Sequence, residues 1–245
     1  MLQIIKSEHL KLKRTFSLKI LFLMPVITAV VGIILMTGSY VQTSSYNWWY
    51  TMLLQATIAI ISSGIVQKDS KIGYRAIMGF PIKPEKIWTG KALTGLILLA
   101  FTNFIFLVLM AVIGLVFEPD FTITTCILAS VIITIAFAWQ VPLCMFLTAK
   151  IGMFATLLIN IVLSFVCIAM LSTKAGLWAV PYAIPGRLMA AVLKIHPNGI
   201  PLENIEGAAA LGNTNVILPG IVISVVLCIA LILITGAAFK NQEAK

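Results

Sequence analysis

The chain has 245 residues, of which 60% are hydrophobic and only 10% are charged. Soluble domains are roughly half apolar and about a quarter charged, so this composition excludes a soluble enzyme, a disordered tail and a disulfide scaffold. The net charge is +9. Because the basic residues cluster beside apolar stretches, we interpret this excess as the positive-inside bias of a membrane protein and expect no nucleic-acid partner.

The apolar stretches predict an all-α integral membrane protein with six transmembrane helices, forming one domain over residues 1–245. A bilayer core of about 30 Å requires roughly 20 apolar residues per helix. Residues 2–14 carry apolar and basic side chains on different faces, which predicts an interfacial helix before the first span. The predicted spans cover residues 17–36, 48–66, 92–117, 123–149, 151–172 and 216–239.

The distribution of basic residues predicts the sidedness of these spans. Of the 17 Lys and Arg residues, Lys174, Arg187 and Lys194 fall on one side, and all others fall on the side of both termini and of the loop 67–91. We therefore expect both termini and this loop to be cytoplasmic. Residues 37–47 are then a short outer link, and Lys150 marks a tight inner turn.

The outer stretch 173–215 is long and still rich in apolar residues. Proline and glycine divide it into short pieces, among which Gly186–Lys194 is predicted as a brief helix. Non-helical backbone is tolerated at membrane depth only against protein or water. We expect a re-entrant-like extracellular segment that packs back on the bundle before the last span.

The chain has no motif that indicates a catalytic, cofactor or metal site. A zinc-peptidase H-E-x-x-H, a nucleophile elbow and a phosphate-binding P-loop are all missing from the sequence. All eight acidic residues are assigned to loops or tails, which disfavours an ion-coupled transporter. The neutral polar residues within the spans either line a substrate path or form interhelical hydrogen bonds; they are Gln55, Asn103, Gln140 and Asn160.

The basic loop 67–91 carries a helical pattern of its own. Asp69 and Ser70 are predicted as an N-cap pair, and Pro81 is predicted to end the helix. Between them, apolar residues recur near helical spacing at Ile72, Ala76, Ile77 and Phe80. A short amphipathic helix held beneath the membrane is a site that a soluble partner can bind.

This loop and the N-terminus resemble type-2 ABC transporter permeases. The loop pattern is an acid, Lys-x-Gly, apolar residues, apolar-Pro-apolar-basic, and then Ile and Gly-Lys at the head of a span. The matching residues are Asp69, Lys71, Gly73, Phe80, Pro81, Ile82, Lys83, Ile87, Gly90 and Lys91. Ser7–Arg14 is similar to the opening of the same group, whereas Tyr74 departs from its usual Thr or Ser. The nearest likeness is to lantibiotic-immunity permease subunits of the MutE/EpiE type from LanFEG exporters.

The resemblance implies a subunit of an ATP-driven exporter in the bacterial cytoplasmic membrane. Two copies of an ABC ATPase subunit would hold ATP and Mg²⁺, and a second permease would complete a heterodimer. The cargo would be a cationic, lantibiotic-type antimicrobial peptide, expelled outward to give immunity or resistance. The residues implied in ATPase coupling are Asp69, Lys71, Gly73, Tyr74, Ile77, Phe80 and Pro81.

Two alternatives stay open at this point. The chain could be a type-2 ABC permease for another amphipathic drug or a lipid-like cargo. It could also be a membrane sensor or scaffold whose inner loop binds a partner without transport. A membrane enzyme is disfavoured because no catalytic set is present.

Overall fold

A computed structural model describes residues 1–13, 15–36, 39–70 and 82–240. These residues are mostly helical, and apart from one isolated antiparallel bridge between Ile195 and Pro201 they contain no β-structure. Six helical stretches are long and apolar enough to cross a membrane. The all-α class and the six apolar helices of a multi-pass membrane protein are therefore confirmed, whereas the sidedness stays a prediction.

The helix bounds lie close to the predicted ones at most ends. The helices, in chain order, are α1 (Leu2–Leu12), α2 (Phe16–Leu35), α3 (Val41–Trp48), α4 (Leu54–Ser70), α5 (Pro84–Val116), α6 (Ile123–Phe137), α7 (Gln140–Ile151), α8 (Met153–Leu171), α9 (Ile184–Leu193) and α10 (Ile217–Lys240). A π-helical turn, Trp49–Leu53, joins α3 to α4. The predicted N-terminal helix corresponds to α1.

The second span begins earlier than predicted, because the expected link over residues 37–47 is helical from Val41 onwards and buried from Val41 to Tyr46. Its polar side chains have partners in distant parts of the chain. The Gln42 amide nitrogen donates to the Met110 carbonyl at 2.8 Å, and the Gln42 amide oxygen accepts from the Asp120 N–H at 2.8 Å. Tertiary hydrogen bonds thus allow a polar sequence to lie inside the protein.

The predicted loop 67–91 is shortened from both ends. The helix α4 continues to Ser70, and α5 begins at Pro84, where a proline suits the first helical turn. Asp69 consequently lies in the last turn of α4, and its predicted role as an N-cap is wrong. Its assignment to a loop is also wrong, because it lies within a helix. Asp69 is buried there, and its carboxylate has ionic partners on other helices.

The fourth span is broken between α6 and α7. Pro142 has no N–H to bond the Ala138 carbonyl, and its ring would crowd that carbonyl in a regular helix. The Val141 N–H bonds the Ala138 carbonyl instead, at 3.2 Å. The irregular backbone at this point is buried within the protein, where such breaks are tolerated.

The tight turn after the fourth span lies at Gly152 and not at Lys150, where we predicted it. Lys150 belongs to the last turn of α7. Gly152 adopts φ +85°, a conformation that L side chains rarely take. The turn therefore lies at the glycine that can adopt this φ value, and not at the charged residue Lys150.

Residues 173–215, which we call the outer segment after their predicted side, pack against the bundle, as predicted. Its longest helix, α9, nearly coincides with the predicted Gly186–Lys194, and almost all of its side chains are buried. The α9 backbone lies close to α8, since a Cβ on Gly186 would come within 2.7 Å of Ile168 Cγ2. Short 3₁₀ turns form the rest: Leu177–Ala179, Leu202–Asn204, Ala208–Gly212 and Thr214–Val216.

The second span forms the centre of the bundle. In its most apolar window 78% of the residues are buried, against 17% in the window of the last span. Large apolar side chains remain exposed along α2, α8 and α10, for example Val30, Phe154 and Leu233. Apolar surfaces of this extent are unusual on soluble monomers and suit contact with lipid or with another membrane subunit.

Candidate functional site

Three of the four predicted path residues meet in one buried cluster, which we call the amide cluster (Gln55, Gln140 and Asn160). The Asn160 amide nitrogen donates to Gln140 Oε1 at 3.1 Å and to the main-chain carbonyl of Gln55 at 3.0 Å. Gln140 Nε2 donates to Ser164 Oγ at 3.3 Å, and the Tyr182 hydroxyl donates to Asn160 Oδ1 at 3.2 Å. The cluster thereby joins α4, α7 and α8 to the outer segment.

The amide cluster lies where two helices depart from regular geometry. Gln55 follows the π-helical turn and donates from Nε2 to the Tyr50 carbonyl at 2.6 Å. Gln140 is the first residue after the break before α7, next to Trp139, whose ring packs edge-on against Tyr182 at 4.7 Å. Within the described ranges, Gln55 Oε1 and Trp139 Nε1 have no hydrogen-bond partner. The cluster therefore keeps unused polar capacity, although most of its side-chain groups have a hydrogen-bond partner.

The fourth predicted path residue, Asn103, lies apart from this cluster. Its Oδ1 accepts from Trp49 Nε1 at 2.9 Å, and the Trp49 ring stacks on Phe106 at 4.7 Å. Asn103 also borders a largely apolar cleft of about 250 Å³ between α5 and α6, beside Ser130 and Thr134. The prediction that all four residues line a path stays a prediction.

A second polar centre lies where α1 meets the ends of α4 and α5. Four buried or half-buried charges form what we call the ionic ring (Glu8, Lys11, Asp69 and Lys91). Lys91 Nζ contacts Glu8 Oε2 at 2.6 Å and also pairs with Asp69 Oδ2. Lys11 Nζ contacts Glu8 Oε1 at 2.7 Å and Asp69 Oδ1 at 3.3 Å. Each carboxylate therefore bridges both ammonium groups.

The ring balances two positive charges with two negative ones in a buried setting. The Lys91 side chain is 1% exposed and those of Glu8 and Asp69 are 4% and 7% exposed. Burial alone lowers the pKa of Lys11, but the hydrogen bond and charge of Glu8, with the charge of Asp69, outweigh it and raise that pKa. Lys11 therefore stays protonated at neutral pH.

Sequence reasoning did not find the ring as a site. Glu8 and Lys11 lay in one motif and Asp69 and Lys91 in another, more than fifty residues away. The available signal was the Glu8–Lys11 spacing of three, which places both side chains on one face of α1. A lysine inside an apolar helix is a second signal, because such a group requires an ionic partner.

Of the residues implied in ATPase coupling, Asp69 is the one that the structure describes. Its carboxylate belongs to the ionic ring. The others lie outside the described residues, and their predicted role stays a prediction; they are Lys71, Gly73, Tyr74, Ile77, Phe80 and Pro81.

At the opposite end of the bundle, the outer segment buries a single arginine. Arg187 Nη2 donates to the Ala210 carbonyl at 3.1 Å, whereas Nε and Nη1 have no partner in the part of the chain that the structure describes. Burial lowers the pKa of the Arg187 guanidinium. The nearby Lys194 Nζ donates to the Gly212 carbonyl at 2.5 Å. Both bases therefore hold the 3₁₀ turn Ala208–Gly212 through carbonyl groups.

Within residues 1–13, 15–36, 39–70 and 82–240, no group of His, Cys, Asp or Glu is arranged to hold a metal ion. The four cysteines are free thiols that lie in the helices. The chain matches no protein-family model, no curated protein and no solved structure.

Proposed function

We propose that this chain is a permease subunit of an ATP-driven ABC exporter that expels a lantibiotic-type antimicrobial peptide from the bacterial cytoplasmic membrane. Export would give the cell immunity or resistance. The proposal builds on the six apolar helices and on the sequence resemblance of the loop. Since the sequence has no P-loop, a partner ATPase, in two copies, would supply ATP and Mg²⁺, and a second permease would complete the path.

The observation that carries the proposal is the pairing of Asp69 with Lys91. This pair joins the end of α4 to the first turns of α5, the two helices that lead into and out of residues 71–83. Because the two helix ends are paired, a soluble partner that pushes on the residues between them would move both spans together. In this proposal, ATPase closure acts on residues 71–81 and alternates inward-open and outward-open arrangements.

A sensor or scaffold without transport is the second candidate. The observation that favours it is the hydrogen bond from Asn160 to Gln140, by which two buried amides satisfy each other as interhelical contacts. Its inner loop would then bind a partner without ATP-driven movement of the spans.

The test is reconstitution of the chain with candidate ATPase and permease partners in proteoliposomes. We expect the partners to co-purify and a cationic lantibiotic to stimulate ATP hydrolysis. An uncharged amphipathic drug serves as the control cargo, and its selective stimulation would support the alternative cargo class. A chain that binds a partner but never alters ATP hydrolysis supports the scaffold. A chain that binds no ATPase contradicts the exporter.

A further inference from the structure

The helix α1 is attached to the spans by more than the ionic ring. Leu12 is buried, and Lys68 Nζ donates to the Lys11 carbonyl. The α5 backbone passes directly beside α1 at Gly90, where a Cβ would lie 2.5 Å from Ile4 Cγ2 and 3.2 Å from Ile4 Cβ. With isoleucine at position 4, a side chain at position 90 would collide with it, so glycine permits this approach. The helix α1 is therefore held on α5 by close packing in addition to the ion pairs of the ring.

The ring adds a specific tie to this packing. Glu8 is the α1 carboxylate that reaches Lys91, at 2.6 Å, while Lys91 also holds Asp69 and the Ile65 carbonyl at 3.3 Å. One buried ammonium thus connects α1, α4 and α5. Because the ion pairs exclude solvent, loss of one partner leaves an uncompensated buried charge.

We propose that Glu8 and Lys91 are positioning residues for coupling, which make α1 and the helix ends on either side of residues 71–83 move as one body. This inference rests on the proposed function. Force applied to residues 71–83 then reaches the N-terminal helix as well as the second and third spans. The N-terminal helix is in this view a moving part of the exporter and not only a membrane anchor.

The first variants separate the tie from the general cost of an unpaired charge. Lys91→Met alone leaves two carboxylates with Lys11, whereas Glu8→Gln with Lys91→Met removes one charge of each sign. Lys86→Met, at an exposed lysine five residues earlier, is the matched control. Each variant is assembled with the full complex, and peptide-stimulated ATP hydrolysis is compared with basal hydrolysis and with thermal stability.

We expect Lys91→Met to lose both stability and stimulation. The double variant should recover stability but remain poorly coupled, with stimulation reduced roughly two- to thirtyfold, the range of measured coupling effects. The control should behave as the wild type. Full stimulation in a stable double variant would overturn the proposal, because the ring would then be structural only.

A covalent replacement of the tie supplies the decisive comparison. Ile4→Cys and Gly90→Cys, added to the double variant, place two Cβ atoms near the separation that a disulfide requires. Oxidation should restore stimulation, and reduction of the same sample should remove it. If the oxidised protein forms the disulfide and stays uncoupled, attachment of α1 is not what Glu8 and Lys91 provide.

The wild-type complex distinguishes this inference from the proposed function. A wild-type chain that neither binds nor stimulates an ATPase overturns the exporter and the inference together. A wild-type chain that does both, beside a fully coupled double variant, overturns the inference alone.

Discussion

The two ends of the bundle treat buried charge in opposite ways. In the ionic ring, each ammonium meets carboxylates and each carboxylate meets both ammonium groups. In the outer segment, Arg187 is nine-tenths buried and donates to one carbonyl. A buried ion is stable only when its lost hydration is replaced by partners of good geometry. The ring meets this condition, and Arg187 meets it only in part.

This difference teaches where the molecule is firmly held and where it is not. The ring fixes three helices at the base of the loop, so that end is expected to resist local opening. The 3₁₀ turn over Arg187 is held by two carbonyl hydrogen bonds and by the small apolar cluster that contains Ala208 and Leu211, and opening it would hydrate the guanidinium. We therefore expect the outer segment to open at a lower free energy than the base of the loop.

The largest expected effect is on the ring. Lys91→Met leaves Glu8 and Asp69 buried with only the half-exposed Lys11 between them, so the free energy of unfolding should fall by about 3–5 kcal/mol. Tryptophan fluorescence during thermal unfolding in detergent measures the change, since the chain has five tryptophans. Glu8→Gln in the same chain should recover most of the loss. A stability equal to that of Lys86→Met would show that the ring is not a firm contact.

The next prediction concerns Arg187, where we expect the free energy of unfolding to rise and not to fall. Arg187→Met removes a buried charge and one hydrogen bond to Ala210, and it keeps the aliphatic bulk of the side chain. Because the charge has no ionic partner among the described residues, we expect the free energy of unfolding to rise by about 1–3 kcal/mol. Arg187→Lys keeps the charge and should bring no gain. A loss of stability in Arg187→Met would mean that the guanidinium is better satisfied than its contacts indicate.

The sequence could predict the spans because long apolar stretches are a local signal. It could not predict that Gln42 would be buried, because the partners that satisfy its amide, Met110 and Asp120, lie almost seventy residues or more away. The break before α7, in contrast, has a local signal. Although the apolar composition is continuous there, Pro142 lacks an N–H and is a kink candidate from the sequence alone.

The same difference between local signals and contacts of distant residues applies to the candidate sites. The polar residues within spans were recognisable one by one, since each is conspicuous among apolar neighbours. Their grouping was not, and the structure brings Gln55, Gln140 and Asn160 together while it keeps Asn103 apart. The ring was missed because Lys91 was assigned to a loop, and a lysine in a loop needs no partner.

The smallest expected effect concerns the amide cluster, which is buried and polar but uncharged and so lies between the two extremes. Asn160→Leu removes its bonds to Gln140, to the Gln55 carbonyl and to Tyr182, and we expect a loss of about 1–2 kcal/mol. Asn103→Leu, which breaks the separate bond to Trp49, is the matched control for loss of a buried amide.

Transport then decides what the amide cluster does. If it belongs to the cargo path, Asn160→Leu and Gln140→Leu should change which peptides the cell tolerates, while Asn103→Leu should change only stability. Protection assays with several cationic peptides measure this preference at matched expression. Should all three variants protect equally against every peptide, the amides of Gln140 and Asn160 act only as interhelical bonds, because a changed path surface would alter at least one preference.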